Sequence, residues 1–391
     1  MAEKNKSSKK RTAAAPLFFI SAGEHSGDIH AARLIRELKK KFPHAIIYAM
    51  GGDAMARAGA KIITHYHDIA IIGFTEALMK YPKAIRILNM IAAFIESKKI
   101  RNVICVDAPG FNLRLARKID APKRKIFYYI CPQLWAWGTK RIEYFKRHID
   151  HALVIFPFEE RLYRNAGVPV TFIGHPLADI RVQHYSKSEI RRQLGIGRNK
   201  KTLLLLPGSR KAEIKRHLPL MLDTAEKLQG AYPDITFICA ATEALTIDAF
   251  NTAMENRSVP VILMRGKLYT LLSVADAALA ASGTVTLELA RFEIPMAIFY
   301  RTSPLNYHIT KMLIRIPYVG LVNIVAEKFI CREFIQHDAR SDELTDELLS
   351  IIHKGAYRRK MIQALRTVKA KVFTKTHVAK NAAAVIAQKV T

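Results

Sequence analysis

The chain has 391 residues, 50% of them hydrophobic and 24% charged, which is enough for two globular domains with separate cores. Its 62 Lys and Arg against 33 Asp and Glu give a formal net charge of +29, so anionic partners are expected: phosphorylated small molecules, acidic lipid or nucleic acid. No apolar run approaches the ~18 residues needed to cross a bilayer, and the scattered Cys105, Cys131, Cys239 and Cys331 form no C-x-x-C pair, which excludes a disulfide or zinc framework.

Residues 1–16 are rich in Lys, Ser and Ala and lack an apolar stretch, which predicts a disordered basic tail and no secretory signal. Leu17–Ala22 reads as a buried strand ending in Gly23-Glu24-His25-Ser26-Gly27-Asp28, with a helix following through Ile29, Leu34, Ile35 and Leu38. The glycines let backbone approach a ligand closely, and Glu24 and Asp28 suit sugar hydroxyls better than phosphate. Ile46–Met50 is a second strand closed by Gly51-Gly52, and Asp53–Ala58 is a short helix stopped by Gly59. Residues 69–95 are unusually apolar. Burial of a helix face accounts for 85–95. Around Phe74, Leu78 and Tyr81, rimmed by Lys80, Lys83 and Arg86, the alternative is an exposed surface for an anionic membrane or acyl chains.

Val103–Val106 is a strand that delivers Asp107-Ala108-Pro109. A carboxylate at a strand mouth, stiffened by a proline, suits a general base for a sugar hydroxyl; capping of the following turn is the other role open to Asp107. Ile126–Ile130 ends at Cys131-Pro132, just before Trp135 and Trp137, and Ala152–Phe156 ends at Pro157-Phe158-Glu159. His175-Pro176 closes this first series. A polar stretch with a helix near Ser188–Leu194 separates it from a second series: Leu203–Leu206, Thr236–Cys239, Val261–Leu263, Ala277–Ala280 and Pro295–Phe299.

Two loops of the second series carry chemistry. Leu206 leads into Pro207-Gly208-Ser209-Arg210, where the guanidinium and backbone N–H groups can bind a diphosphate. Ala280 leads to Ser282-Gly283-Thr284, which opens a helix carrying Glu288, an acceptor for a diol such as a ribose. Plain strand-to-helix connections would also produce each loop. No G-x-G-x-x-G follows a strand and no G-x-x-x-x-G-K-[ST] occurs, so a sugar nucleotide is favoured over nicotinamide or ATP. Alternating strands and helices predict an α/β protein of two doubly wound, Rossmann-like parallel-sheet domains facing across a cleft. Their expected bounds are 17–183 and 184–355, with helices over 356–391 packing back on the first domain. No cofactor or metal is expected.

Taken in order, these segments resemble the lipid-A-disaccharide synthase family (glycosyltransferase family 19). The matching pieces are Ala22-Gly23-Glu24 with Ser26-Gly27-Asp28, Asp107-Ala108-Pro109 with Phe111-Asn112, Pro132 with Trp135-Ala136-Trp137, Pro157-Phe158-Glu159 and Gly174-His175-Pro176-Leu177. They continue with Pro207-Gly208-Ser209-Arg210 and Glu213, Ser282-Gly283-Thr284 with Leu287-Glu288, and Leu321 with Asn323. The resemblance implies a GT-B fold and an inverting, metal-independent transfer. UDP-2,3-diacylglucosamine and 2,3-diacylglucosamine 1-phosphate would give a lipid A disaccharide 1-phosphate and UDP.

It makes Asp107 the catalytic base, and Gly208, Ser209, Arg210, Ser282, Gly283, Thr284, Glu288 and Asn323 the donor site. It puts Glu24, Ser26, Gly27, Asp28, Trp135 and His175 along the acceptor cleft. Phe74, Leu78 and Tyr81 fall where the family docks peripherally on the cytoplasmic face of the inner membrane. Gly110, His25, Val322 and the segment 331–334 depart from the family pattern. Competing readings are another GT-B UDP-sugar transferase or epimerase, and a basic nucleic-acid-binding protein; scattered basic residues without a recognition motif argue against specific nucleic-acid binding. A homodimer is one arrangement the sequence leaves open.

Overall fold

The computed structural model describes residues 15–390 except 69–73, 123, 138–139, 183–185, 244, 256, 305–306 and 308–315, and does not describe the side chains of 74–81, 136–137, 140–141 and 249. The tail expected over residues 1–16 therefore lies almost wholly outside the described residues.

Two sheets are present. The first contains β1 (Leu17–Ala22), β2 (Ile46–Gly51), β3 (Lys61–His65), β4 (Asn102–Val106), β5 (Lys125–Tyr129), β6 (His151–Val154) and β7 (Val170–Phe172), in the order β3-β2-β1-β4-β5-β6-β7. The second contains β8 (Lys201–Leu206), β9 (Ile235–Ala241), β10 (Val261–Arg265), β11 (Ala277–Ala281), β12 (Met296–Tyr300) and β13 (Glu333–Ile335), in the order β10-β9-β8-β11-β12-β13. Every strand pairing among the described residues is parallel. Parallel strands covered on both faces read as unbroken apolar runs, and β4 and β11 are buried at every position.

Alternate residues of β1 divide the first domain into two cores. Phe19 joins Cys105, Tyr128 and Phe145 on one face, while Phe18 and Ile20 join Leu34, Ile104 and Phe127 on the other. A third, continuous core fills the second domain around Leu203–Leu206, Met221, Phe237 and Phe299. All four cysteines are free and buried. Among the described residues no helix is long and apolar enough to cross a membrane.

The end of the chain departs from expectation. Helix Ala356–Val372 was expected on the first domain, but its Met361, Leu365, Val368 and Val372 belong to the second core. Helix Val378–Ala387 does return, packing on helix His25–Lys41 and adding Val378, Ala382, Ala383 and Ile386 to a first-domain core. The apolar stripe of each helix follows the nearer core. Between them the backbone turns at His377, and the Asp179 carboxylate accepts from the N–H groups of His377 and Val378, the latter at 2.9 Å. Lys375 and Asn381 donate to the carbonyls of Phe172 and Ile173 at 2.7 and 3.0 Å. Other links join the two domains: Arg291 donates to the carbonyls of Leu177 and Ile180, and Arg161 Nη2 donates to both carboxylate oxygens of Glu327.

Gly174 makes this crossing possible. Its φ is +97°, and a Cβ there would lie 2.5 Å from the Lys375 carbonyl oxygen. Gly174→Ala is therefore expected to loosen the returning helix, lowering the thermal midpoint and opening residues 373–378 to limited proteolysis; a variant as stable and as resistant as the parent would contradict this account.

Candidate functional site

In a doubly wound sheet the strand order reverses once, and the loops on either side of that point diverge to leave a crevice at the carboxyl ends. In the first sheet the reversal lies between β1 and β4, where Ala22 pairs with Val106. The two loops leaving there are Gly23–Asp28 and Asp107–Pro109. In the second sheet it lies between β8 and β11, where Leu206 pairs with Ala280, and the loops are Pro207–Arg210 and Ser282–Thr284. The four loops singled out for their residue chemistry are thus the four loops of the two switch points.

Asp107 is half-buried and opens the turn into helix Pro109–Ile119. Burial, reinforced by the Glu24 carboxylate, holds its carboxyl above the ordinary Asp range, with partial relief from the Ala108 N–H. A raised carboxyl at a crevice is the environment expected of a proton acceptor. Glu24 and Ser26 are exposed at the start of helix His25–Lys41, and Gly27 is buried, where a Cβ would lie 3.4 Å from that of Ala22. Gly110 has nothing within 4 Å of where a Cβ would stand, so the missing second carboxylate leaves open space and no packing defect.

Asp28 does not serve as a sugar-binding group. It is buried, and its carboxylate accepts the N–H groups of Gly52, Ala54 and Met55 at 2.8, 3.0 and 3.1 Å, closing the N-terminus of helix Asp53–Arg57. Trp135 is likewise tied internally: its indole N–H donates to Glu159 at 3.1 Å, and its ring meets Phe158 edge-on. Burial pushes the Glu159 carboxyl up to about 7 although Trp135 and the N–H groups of Phe156 and Ile155 all donate to it. His175 is buried beside Phe156, and its Nδ1 accepts the Leu177 N–H at 3.2 Å. Burial, and then His30, lower it to about 4, so it is neutral with its proton on Nε2. The side chains of Phe74, Leu78 and Tyr81, at the start of helix Phe74–Ser97, lie outside the described residues.

On the second sheet, Gly208 has φ +117°, and a Cβ there would sit 2.4 Å from a Glu213 carboxylate oxygen. That carboxylate accepts the N–H groups of Ser209 and Arg210 at 2.9 and 3.2 Å. These amides, expected to face a diphosphate, are therefore already engaged. The Arg210 guanidinium stays exposed, 3.7 Å from Glu213. His217, which the sequence reading did not single out, is buried beneath this loop; its Nδ1 donates to the Pro207 carbonyl at 2.8 Å, and its Nε2 accepts the Arg301 N–H at 3.1 Å. Ser282 donates to the Val319 carbonyl at 2.9 Å, Thr284 is exposed, and Gly283 has nothing within 4 Å of where a Cβ would stand. Glu288 accepts the Tyr269 hydroxyl at 2.6 Å; burial raises its carboxyl, opposed by that bond and by Arg291.

Asn323 is also removed from direct ligand contact. It is fully buried, and all four of its hydrogen-bonding positions are used: Nδ2 donates to the Cys331 carbonyl and to Glu333, both at 2.7 Å, and Oδ1 accepts the N–H groups of Ile330 and Cys331. Glu333 in turn accepts the N–H groups of Val319 and Gly320, each at 2.8 Å. Asn323 and Glu333 therefore shape the segment that receives the Ser282 hydroxyl. Two signals could have found these fasteners: Glu213 stands at the third helical position after Arg210, and Glu333 follows Asn323 beyond a tight turn.

Asp28→Ala would leave three backbone donors without their acceptor, a loss of about 1–3 kcal/mol. The expected result is a lower midpoint in chemical denaturation with unchanged affinity for UDP. Weakened ligand binding at unchanged stability would return Asp28 to the ligand-contacting set.

Comparison with known proteins gives the family and the fold. The lipid-A-disaccharide synthetase family profile matches residues 18–390. The lipid-A-disaccharide synthase of Geobacter sulfurreducens is 37% identical over 355 residues, covering 91% of this chain and 92% of that protein. That of Coxiella burnetii is 34% identical over 346 residues, covering 88% and 91%. Among solved structures, the UDP-GlcNAc 2-epimerase of Neisseria meningitidis bound to UDP-GlcNAc aligns with a TM-score of 0.57 at 11% identity, covering 95% of this chain and 98% of that one. The glycotransferase of kitacinnamycin aligns at 0.58 and 14%, covering 96% and 99%. At such identities these structures establish the shared two-domain GT-B architecture alone. Matched along almost its whole length by sequence, the chain belongs to the lipid-A-disaccharide synthase family of glycosyltransferases.

Proposed function

We propose that the protein moves a 2,3-diacylglucosamine unit from UDP to the sugar hydroxyl of 2,3-diacylglucosamine 1-phosphate, with inversion at the transferred carbon. The observation that carries this reading is the placement of a half-buried carboxylate, Asp107, at one switch point and of an exposed guanidinium, Arg210, at the other. Asp107 accepts the hydroxyl proton as the new glycosidic bond forms. The bond from the sugar to UDP breaks on the opposite face, and the proton ends on the carboxylate. Arg210 offsets the charge that collects on the departing diphosphate. The space beside Gly283 admits the nucleotide, and Glu288, braced by Tyr269, has a second oxygen for a ribose hydroxyl. Ser209 and Thr284 add exposed hydroxyls to the same rim. The UDP-GlcNAc bound in the Neisseria epimerase supports a UDP-sugar as donor.

Both substrates of this reaction are amphiphilic anions. A formal charge of +29 favours them, and favours peripheral contact with an anionic membrane surface, to which Phe74, Leu78 and Tyr81 are proposed to contribute.

The test is UDP release from diacylated donor and acceptor. Asp107→Asn, which keeps shape but not basicity, is expected to lower turnover by about 10²–10⁴-fold; Arg210→Ala is expected to weaken UDP binding as well as turnover. Parent-like turnover in Asp107→Asn would refute the assignment of the base. Glu24→Gln supplies a check on sign. Glu24 raises the Asp107 carboxyl, and activity requires that group ionised, so activity fades as pH falls through its pKa. Removing the neighbouring charge lowers that pKa, and the acidic limb of the pH–turnover curve is expected to move to lower pH. A limb that moves up, or stays, contradicts the electrostatic account.

A further inference from the structure

Asp107 and Ala108 both have a φ of +46°. Two consecutive residues with side chains in the left-handed region cost roughly 1–2 kcal/mol each, and such strain survives only where neighbouring groups impose it. Here the imposing atoms can be named. The Asp107 carbonyl oxygen accepts from Asn112 Nδ2 at 2.8 Å and from the Tyr128 hydroxyl at 2.7 Å. The Asp107 N–H donates to the Tyr129 carbonyl at 3.2 Å. Asn112 is fully buried; its Nδ2 also faces the carbonyls of Val106 and Ser21 at 3.1 and 3.2 Å, and its Oδ1 accepts the Ser21 hydroxyl at 2.5 Å. It thereby joins the carboxyl ends of β1 and β4 beneath the crevice. Tyr128 is fully buried on β5, its ring against Phe145, and stands opposite Cys105 in the sheet. Filling the core does not call for a buried amide and a buried hydroxyl, which are costly unless their polar atoms are used. Both converge on one carbonyl, that of the residue at the strand mouth.

We propose that Asn112 and the Tyr128 hydroxyl are positioning residues for the reaction, clamping the Asp107 carbonyl so that the left-handed turn holds its carboxylate beside Glu24 at the crevice. This rests on the reading of Asp107 as the base. The clamp acts through backbone orientation and touches no substrate.

Tyr128→Phe removes one oxygen and keeps the buried ring, so the fold is retained. Its kcat is expected to fall about 10- to 100-fold, the scale of a misplacement near 1 Å, with KM for donor and acceptor unchanged. The acidic limb of its kcat–pH profile is expected to move down, because a loosened carboxylate gains water. Tyr128 and Cys131, the other titratable groups with Glu24 around Asp107, are held protonated by burial and do not contribute that limb. Asn112→Ser is the second variant, retaining a polar partner for Ser21 but no reach to Asp107, and the same pattern is expected. A parent-like kcat in both variants overturns the proposal. So does a kcat that falls only with the fraction of protein able to bind UDP, at an unmoved acidic limb. Asp107→Asn, run beside them, separates the two levels: turnover there sinks the base itself, whereas an inactive Asp107→Asn with a parent-like Tyr128→Phe sinks the clamp alone.

Discussion

Parallel pairing is the constraint on which the rest of this molecule depends. A parallel strand returns to its sheet only through a crossover, so every strand releases its chain at the same edge. Reversal of strand order at one place then leaves two diverging loops with no helix between them. Both domains obey this rule, the second repeating the order of the first six strands of the first, and both place their polar loops at the reversal. Each crevice is thus a by-product of topology, and the chemistry proposed above draws on segments more than 170 residues apart, around Asp107 and Ser282.

Much of this was legible in the sequence because it is written in hydrophobicity. Leu203–Leu206 and Val103–Val106 can be little else than strands buried on both faces. The strands Lys61–His65, Val170–Phe172 and Glu333–Ile335 escaped notice for the opposite reason: each lies at a sheet edge, is short or partly exposed, and carries polar residues. The site was legible to the level of loops, and less so to the level of atoms. A polar residue just after a strand can face a ligand or fasten the loop that does. Asp28, Asn323 and Glu213 fasten, each saturating backbone N–H groups that the turns leave open. Residue type does not separate the two roles; only the count of satisfied donors does.

This division also clarifies the electrostatics of a strongly basic chain. Several of its acidic groups near the crevice, Asp28, Glu213 and Glu333, are held by backbone N–H donors. Glu159 is the extreme instance, a carboxyl enclosed by two amides and an indole with no ion pair among the described residues. Asp107, by contrast, has few donors, and burial followed by the nearby Glu24 charge keeps its own proton affinity high.

The return of the last helix has a consequence for biosynthesis. A ribosome makes the first domain's strands early, yet one face of that domain waits for Val378, Ala382, Ala383 and Ile386, which are made only after the residues of the second core. Until then the part of helix His25–Lys41 that meets the returning helix is uncovered, while the second domain already has all the residues of its own core. The half that emerges first is finished after the other, and a nascent chain stalled before Val378 would present an intact nucleotide-type lobe tethered to an incomplete one.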